Sequence, residues 1–349
     1  MAVNLSAIKD LLLPGLRGIE GKYEMIPSQY DRIFTKHDSK LAFERTAEMR
    51  YLGLAQLKTE GGQTAFDNGA GERYIYNQEH SEIALGYAIT RKAIDDNLYK
   101  TQFHPSNLGL IESFQQTKEI YGASILNTAQ TYNNAVAGDG VALCSASHPI
   151  DGGVVGNTPA TQVDLNEATL LNNMIAVRTN FRDQAGLKVF ARARKLIIPP
   201  GLEPVAIRLT KTELRPGTAD NDVNAVLTTA GGLPEGYMVA DFLTSSFAWF
   251  LLTNIDGLSY MERVKFETDM QVDFVTDNLL VKGYERYSFG YYNWRAIFWA
   301  SFNCPLGDLM IGSTPLETRK AVQPQYDLSR YSEAVRRGLH YSGQLAGET

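Results

Sequence analysis

Residues 105–132 form the longest stretch of the chain with one unbroken helical period. Apolar side chains recur there at steps of three, four or seven residues and so share one helix face: Leu110, Phe114, Tyr121, Ile125, Ala129 and Tyr132. Pro105 suits the first turn, because its missing N–H would be unpaired there anyway. At 1.5 Å per residue the stretch predicts a rod of about 42 Å. The other face is polar and should meet water or a partner: Glu112, Gln115, Gln116, Lys118, Glu119 and Asn127.

The charge balance argues against a dedicated nucleic-acid binder. Lys and Arg total 33 against 39 Asp and Glu, which gives a net charge of −6, so any contact with DNA should be weak. Two cysteines cannot form a disulfide framework, and the first residues lack a secretory pattern, which indicates a reducing cytoplasm. The apolar run at 247–252 is far shorter than the roughly 20 residues that cross a bilayer. We therefore expect no membrane span.

Two partly alternating stretches, 51–60 and 73–83, flank a glycine-rich segment at 61–71. This pattern predicts a long β-hairpin with a flexible tip, preceded by an arm over residues 1–48. The hairpin is too polar and too rich in glycine to form its own core, so it lies in solvent or on another subunit. Its candidate inter-subunit contacts are Tyr51, Leu54, Lys58, Phe66, Tyr74 and Tyr76.

After Gly138 the helical period gives way to a turn-rich segment, which predicts a second domain over residues 138–259. Asp164 and Glu167 form a capping-box pattern before a helix, a strand at 195–198 ends against two prolines, and a further helix begins near Leu202. An apolar stretch at 245–254 completes an α/β unit of ordinary domain size.

From Tyr260 to Phe302 the chain predicts long antiparallel strands that are dense in aromatic residues. Even spacing places one set on a common face (Val264, Phe266, Val272 and Phe274) and does the same for a second set (Trp294, Ala296, Phe298 and Ala300). The aromatic face needs a helix to cover it, and Phe114, Tyr121 and Ile125 are the candidates. The chain should thus leave one domain, build a second and return.

The order of these parts resembles the major capsid proteins of tailed bacteriophages with the Hong Kong 97 fold, over residues 1–303. Seven segments also resemble phage head subunits: LCSASHPIDGG, DLNEATL, KLIIPPGLEPVA, RPGTADNDVNAV, AWFLLTN, DGLSYMER and ERYSFGYYNWR. Two features depart from the family pattern. Residues 303–349 continue past the last strand, and no long charged scaffolding segment precedes the arm.

The resemblance implies an α+β, Hong Kong 97-like capsid fold with five parts. These are an N-terminal arm (1–48), an extended β-hairpin loop (49–84), a peripheral domain with a long spine helix (85–137 and 260–303), an inserted axial α/β domain (138–259) and a C-terminal extension (304–349). It implies a structural protein of the virion, without cofactor or catalysis, that self-assembles through hexamers and pentamers into an icosahedral head around double-stranded DNA. Assembly would take place in the host bacterial cytoplasm.

The same resemblance implies further partners. They are a separate scaffold protein and a portal, with a decoration protein as an open option and with only weak, non-specific contact to the packaged DNA. A rival interpretation is the shell of an encapsulin-like nanocompartment, which would carry enzymes in place of DNA. Some members of the fold also cross-link a loop lysine to an asparagine of a neighbour, for which Lys58 and Asn278 are imaginable partners. That chemistry needs a catalytic carboxylate, which the sequence does not identify.

Candidate catalytic residues are few. Cys144 and His148 are four residues apart, which keeps a Cys/His hydrolase as a remote alternative, although a turn of small polar residues is the simpler interpretation. The histidines are scattered without ligand spacing, which argues against a metal site: His37, His80, His104, His148 and His340.

The extension beyond residue 303 has two predicted parts. Residues 305–324 carry several Gly and Pro residues and should run extended over a surface. Residues 327–340 predict an amphipathic helix whose apolar stripe is the second set of candidate inter-subunit contacts: Leu328, Tyr331, Val335 and Leu339. A helix of this length is marginal alone, so it should dock. Docking on a neighbour as a clamp and docking on its own chain as a cap are both open.

Overall fold

Two four-stranded sheets and one long helix organise the part of the chain that the structure describes. The computed structural model describes residue 23 and residues 27–95, 99–212, 226 and 232–301, and for residues 94, 95 and 99–104 the backbone alone. These residues lie within the compact unit Met1–Phe302, and the other unit, Asn303–Thr349, lies outside them. The mixture of helices and strands confirms the predicted α+β class.

The first sheet has the strand order β1-β10-β11-β4. β1 (Thr35–Asp38) runs parallel to β10 (Leu258–Val272), which pairs antiparallel with β11 (Leu279–Tyr291), and β11 pairs antiparallel with β4 (Ser81–Ile89). The two long strands therefore form the predicted antiparallel pair. Phe274 was assigned to their buried face, but it lies in the turn between them and is exposed, because β10 ends at Val272.

The long helix, α2 (Tyr99–Asn127), follows a short α1 (Arg91–Asp95) and lies on this sheet. The predicted bounds were wrong: Pro105 is inside the helix, and the chain turns at residues 128–131 instead of continuing to Tyr132. After the helix, the N–H of Thr131 donates to the carbonyl of Thr128 at 2.8 Å in a local turn. Phe114 meets Phe266 edge-on at 5.0 Å between ring centroids, as the predicted covering of the aromatic face requires.

The polar face of α2 is not wholly exposed, because Lys118 points into the protein. Its Nζ lies 2.6 Å from Oε2 of Glu285 on β11, and the two side chains are 3% and 0% exposed. The rings of Tyr23 and Tyr287 each lie with their centroids 4.9 Å from Nζ. Lys118 was predicted to face solvent because it is polar. It is buried because its ammonium group forms an ion pair with the buried carboxylate of Glu285 and lies against aromatic rings.

Replacing Phe114 by alanine should destabilise the subunit strongly. The ring is 1% exposed and packed in a cluster with Leu110, Ile111 and Phe266, so its loss leaves a cavity. We expect the free energy of unfolding to fall by about 3–5 kcal/mol, measured by chemical denaturation of unassembled subunits. The same substitution at Phe274, which is 96% exposed, is the matched control and should change little. An unchanged stability of Phe114→Ala would show that the helix does not rely on this packing.

The second sheet has the order β12-β9-β7-β8. β7 (Ala193–Ile198) lies between β8 (Tyr237–Val239) and β9 (Ala248–Thr253), and β12 (Ile297–Ser301) pairs with β9. α3 (Glu167–Asn180) and α4 (Glu203–Lys211) belong to the same part of the chain. Every residue of β9 and β12 is buried, as in strands that are covered on both faces.

Two expectations for this region were wrong in detail. Trp294–Ala296 is a 3₁₀ turn, so the predicted continuous strand through Trp294 and Ala300 is broken, and β12 joins the sheet of β7, β8 and β9. Its uninterrupted apolar run matches a strand that is covered on both faces better than an alternating one. The cap of α3 is Asn166, whose side chain accepts from the N–H of Thr169 at 2.9 Å. The side chain of Asp164 accepts instead from the N–H of its neighbour Leu165.

The extended hairpin exists, but its strands differ from the prediction. β2 (Phe43–Arg50) pairs with β3 (Gly71–Glu79), whereas residues 51–70 contain no strand. The predicted strand over 51–60 is therefore wrong, and β2 lies in the segment that was assigned to the arm. Beyond Arg50 the carboxylate of Asp67 accepts from backbone N–H groups on both sides of the loop, in place of strand pairing. β5 (His148–Ile150) and β6 (Gly153–Val155) form a smaller hairpin.

Candidate assembly surfaces

The loop over residues 51–70, which we call the hairpin loop, presents large apolar side chains to solvent. Leu54, Leu57 and Phe66 are 81%, 104% and 85% exposed, and Tyr51 and Leu52 are exposed as well. Single exposed apolar residues are common on soluble proteins, but a group of five on one loop is typical of a surface that meets a partner.

The hairpin loop is shaped by one carboxylate. Oδ2 of Asp67 accepts a hydrogen bond from the N–H of Gly53 at 2.7 Å, and Oδ1 accepts one from the N–H of Gly69 at 2.8 Å. These backbone donors lower the pKa of Asp67, and Arg50 at 3.4 Å lowers it further. The loop therefore keeps a defined path at neutral pH while its apolar side chains point away from the chain.

The base of the hairpin is held by an arginine latch, which we define as Arg50, Arg73 and Asp151. Arg50 ends β2 and Arg73 lies in β3, and both guanidinium groups donate to the carboxylate of Asp151 in the turn between β5 and β6. The Arg50 guanidinium, followed by that of Arg73, lowers the pKa of Asp151. The latch fixes the direction in which the hairpin leaves the body.

A buried ion pair also anchors β2. Oε1 of Glu48 accepts from Arg295 at 2.6 Å, and Arg295 also donates to the carbonyl oxygen of Arg182 at 2.5 Å. The guanidinium lies over the ring of Trp294 at 4.2 Å from the centroid. Sequence reasoning missed both anchors, because the paired residues are far apart in the chain and neither belongs to a recognisable motif.

Of the six candidate contact residues in the hairpin, the structure places four on the exposed loop: Tyr51, Leu54, Lys58 and Phe66. Tyr74 is half-buried against the main core. Tyr76 is 3% exposed, and its ring meets Tyr291 with centroids 6.0 Å apart. It belongs to the core of its own chain, because β3 is joined there to residues 136–138 by backbone hydrogen bonds.

Gly138 makes that junction possible. Its φ is +69°, and a Cβ at this position would lie 2.3 Å from a carbon of the Tyr76 ring. Only glycine combines this backbone conformation with so close an approach.

A second exposed apolar pair lies at the turn between β10 and β11. Phe274 and Val275 are 96% and 87% exposed. Asp273 accepts from the hydroxyl of Thr276 at 2.5 Å and from the N–H of Val275 at 3.2 Å, so the turn is held by its own side chain. Asn278, the imagined cross-linking partner, accepts from the N–H of Arg91 at 3.2 Å.

The candidate nucleophile and base do not face each other. Nδ1 of His148 lies 2.6 Å from Oδ2 of Asp139, and Nε2 lies 3.3 Å from Oδ1 of Asn157. The ring stacks on Trp294 with centroids 4.2 Å apart. Cys144 is buried, and burial raises the pKa of its thiol well above the ordinary range, so it stays protonated at neutral pH. We therefore interpret His148, its hydrogen-bond partners and Cys144 as structural residues of the protein interior.

Within the described ranges, no group of three or more His, Cys, Asp or Glu side chains could hold a metal ion. Among the helices that the structure describes, none has the length and apolar character needed to cross a membrane. The predicted contacts at Leu328, Tyr331, Val335 and Leu339 lie outside the described residues.

Replacing Asp151 by asparagine should loosen the hairpin without unfolding the body. The amide cannot attract two guanidinium groups, so we expect faster amide hydrogen exchange at residues 48–50 and 71–73, measured by mass spectrometry. Asp38→Asn, on an exposed strand residue, is the control. Because the pKa of Asp151 is lowered, its contribution is present at neutral pH and is lost as the pH falls below its ordinary value near 3.8. Unchanged exchange in Asp151→Asn would refute the latch.

Comparison with known proteins gives one family match. The model of a family described as phage capsid protein matches residues 81–300. None of the curated proteins that were compared matches the chain.

Solved structures give matches of lower similarity. The bacteriophage JBD30 capsid is 13% identical with a TM-score of 0.43, and the match covers 78% of this chain and 65% of that one, just under two thirds. Microbacterium phage Oxtober96 is 10% identical with a TM-score of 0.48, covering 79% and 90%. A virus-like particle from Pyrococcus furiosus is 10% identical with a TM-score of 0.47, covering 82% and 98%.

Proposed function

The chain belongs to the family of phage capsid proteins, and we propose that it is the major subunit of an icosahedral head that encloses double-stranded DNA. The family expected from the sequence is thereby confirmed, and the Hong Kong 97 fold is consistent with it. Hexamers and pentamers are the assembly units of this proposal. They place many copies of one chain in nearly equivalent contacts around a closed shell.

The observation that carries the proposal is the hairpin loop. It exposes Leu54, Leu57 and Phe66 while its base is held by the arginine latch and by the buried pair of Glu48 and Arg295. Burial of each of these three side chains against a neighbouring copy would contribute about 1.5–3 kcal/mol. A rigid base also reduces the entropy that is lost when the loop docks.

The role is structural, without catalysis. In support, His148 is bonded to Asp139 and Asn157, and the thiol of Cys144 is buried. The virion capsid is the location that the family supports, and assembly in the host bacterial cytoplasm is part of the proposal. A separate scaffold protein and a portal remain proposed partners, and a decoration protein remains an option.

The two terminal segments keep their proposed roles. Most of residues 1–26 of the predicted arm (1–48) and the whole extension over 304–349 lie outside the described residues. We propose that the arm clasps a neighbouring subunit. The extension either clamps a neighbour or caps its own chain, and truncation after Phe302 separates these roles: poorly formed shells of folded subunits indicate the clamp, and insoluble protein indicates the cap.

Electron microscopy of the expressed full-length chain tests the proposal. Closed icosahedral shells with hexameric and pentameric units are the expected result. Monomers under all assembly conditions, including addition of a scaffold protein, would contradict it. The encapsulin-like alternative predicts purified particles that contain a protein cargo and no nucleic acid. A hydrolase would show turnover that survives disassembly and disappears in Cys144→Ala.

A further inference from the structure

A row of exposed basic and aromatic side chains lies at residues 188–194, which we call the basic row. Lys188, Phe190, Arg192 and Arg194 alternate with residues that are buried or half-buried. Phe190 is 89% exposed, in the middle of the row. All four side chains are exposed to solvent.

The backbone of the basic row is fixed by hydrogen bonds. Asn254 makes three hydrogen bonds to this backbone. Its side-chain oxygen accepts from the N–H of Arg192 at 2.7 Å, and its backbone N–H donates to the carbonyl of Arg192 at 3.0 Å. Its side-chain NH₂ donates to the carbonyl of Phe190 at 3.3 Å. The N–H of Ala191 donates to the carbonyl of Val189 at 2.9 Å, which forms a tight turn centred on Phe190. The outward direction of the ring is thus set by the backbone.

The charges of the basic row are only partly neutralised. Arg194 and Lys195 share the carboxylate of Glu235. Within the described part of the chain, no carboxylate is recorded as an ion-pair partner of Lys188 or Arg192. Among the described residues the row therefore carries two positive charges without an ion-pair partner, on a chain whose net charge is −6.

We propose that the basic row binds the phosphate backbone of the DNA that the shell encloses; this rests on the proposed function. Lys188 and Arg192 are at most about 13 Å apart at roughly 3.3 Å per residue, close to the width of the major groove, about 12 Å. The two cations reach phosphates on its two sides, and Phe190 lies between them over the groove. Two phosphate contacts give weak, sequence-independent binding, as suits DNA that must enter and leave.

The test measures binding of a fluorescein-labelled 30-base-pair duplex to unassembled full-length subunits by fluorescence anisotropy over a salt series. At about 0.1 M salt each lost contact should reduce affinity roughly 8-fold, so Lys188→Gln with Arg192→Gln should reduce it about 60-fold and lower the salt slope by about 2. The matched control removes two exposed lysines elsewhere, Lys40→Gln with Lys92→Gln, and should retain nearly all of the affinity. Phe190→Ala should weaken duplex binding less than the loss of the charges.

Other outcomes would overturn the proposal. If the double variant binds the duplex as tightly as the wild type, the row does not contact phosphates. The same conclusion follows if it binds more weakly but its affinity has the same salt dependence as that of the wild type. A loss of roughly 5- to 100-fold for single-stranded DNA alone in Phe190→Ala would indicate a base-stacking site instead. Loss of shells in the double variant with duplex binding intact would assign the row to a contact between subunits or with an acidic scaffold. Electron microscopy distinguishes failure of this proposal from failure of the proposed function. The double variant should form normal shells although it has lost duplex binding. Failure of the wild type to form shells would refute the proposed function.

Discussion

Head shells should not form when Leu54, Leu57 and Phe66 are all replaced by serine, although the subunit should keep its fold. The three side chains are exposed in the isolated chain, so their loss removes almost no internal packing. Their burial on a neighbour would contribute about 5–9 kcal/mol per hairpin loop, and a shell repeats this contact at every subunit. We expect unassembled subunits or capsomers by electron microscopy and sedimentation, with an unchanged melting temperature.

The matched control changes three polar residues of the same loop, Gln56, Gln63 and Thr64, to serine. All three are exposed, so the length of the loop is kept while its apolar surface is untouched. This variant should assemble. Normal shells from the first variant would show that the hairpin loop is not the main contact between subunits, and insoluble protein would show that it packs within its own chain.

Periodicity predicted the parts of the fold in which one apolar face meets one core. Phe114 and Phe266 were assigned to a common core because each follows the period of its own element, and their rings do meet at 5.0 Å. Lys118 was assigned to solvent because a helical period records only polarity. Its carboxylate partner lies 167 positions further along the chain, and no local pattern links them.

The same limit applies to the candidate surfaces. The exposed loop residues could be recognised from the glycine-rich segment around them, which cannot bury them locally. The strands of the hairpin could not be placed, because the latch at Asp151 and the bonds of Asp67 decide where pairing stops. Strand β12 was assigned to the neighbouring domain because its sequence position does not reveal that it pairs with β9.

The buried pair of Lys118 and Glu285 should be the most sensitive polar contact of the subunit. Nζ and Oε2 are 2.6 Å apart, and the hydroxyl of Tyr23 donates to the same oxygen at 2.9 Å. Burial raises the pKa of Glu285, and Lys118 opposes that rise. Removing one member of such a pair costs about 3–5 kcal/mol, whereas replacing both by apolar residues is often nearly neutral.

We therefore expect Lys118→Met to lower the free energy of unfolding by about 3–5 kcal/mol at pH 7, and Lys118→Met with Glu285→Leu to recover most of this loss. In the single variant the lone carboxyl takes up a proton in the folded chain, whereas the unfolded carboxyl titrates near 4.5 and is ionised at pH 7. The folded state then binds more protons, so its stability should fall by up to about 1.4 kcal/mol per pH unit as the pH rises above about 4.5. Denaturant titrations between pH 5 and 8 measure the slope, and the double variant, which has no buried charge, should lose it. A single variant that is as stable as the wild type, or whose stability rises with pH over this range, would show that Glu285 does not depend on Lys118.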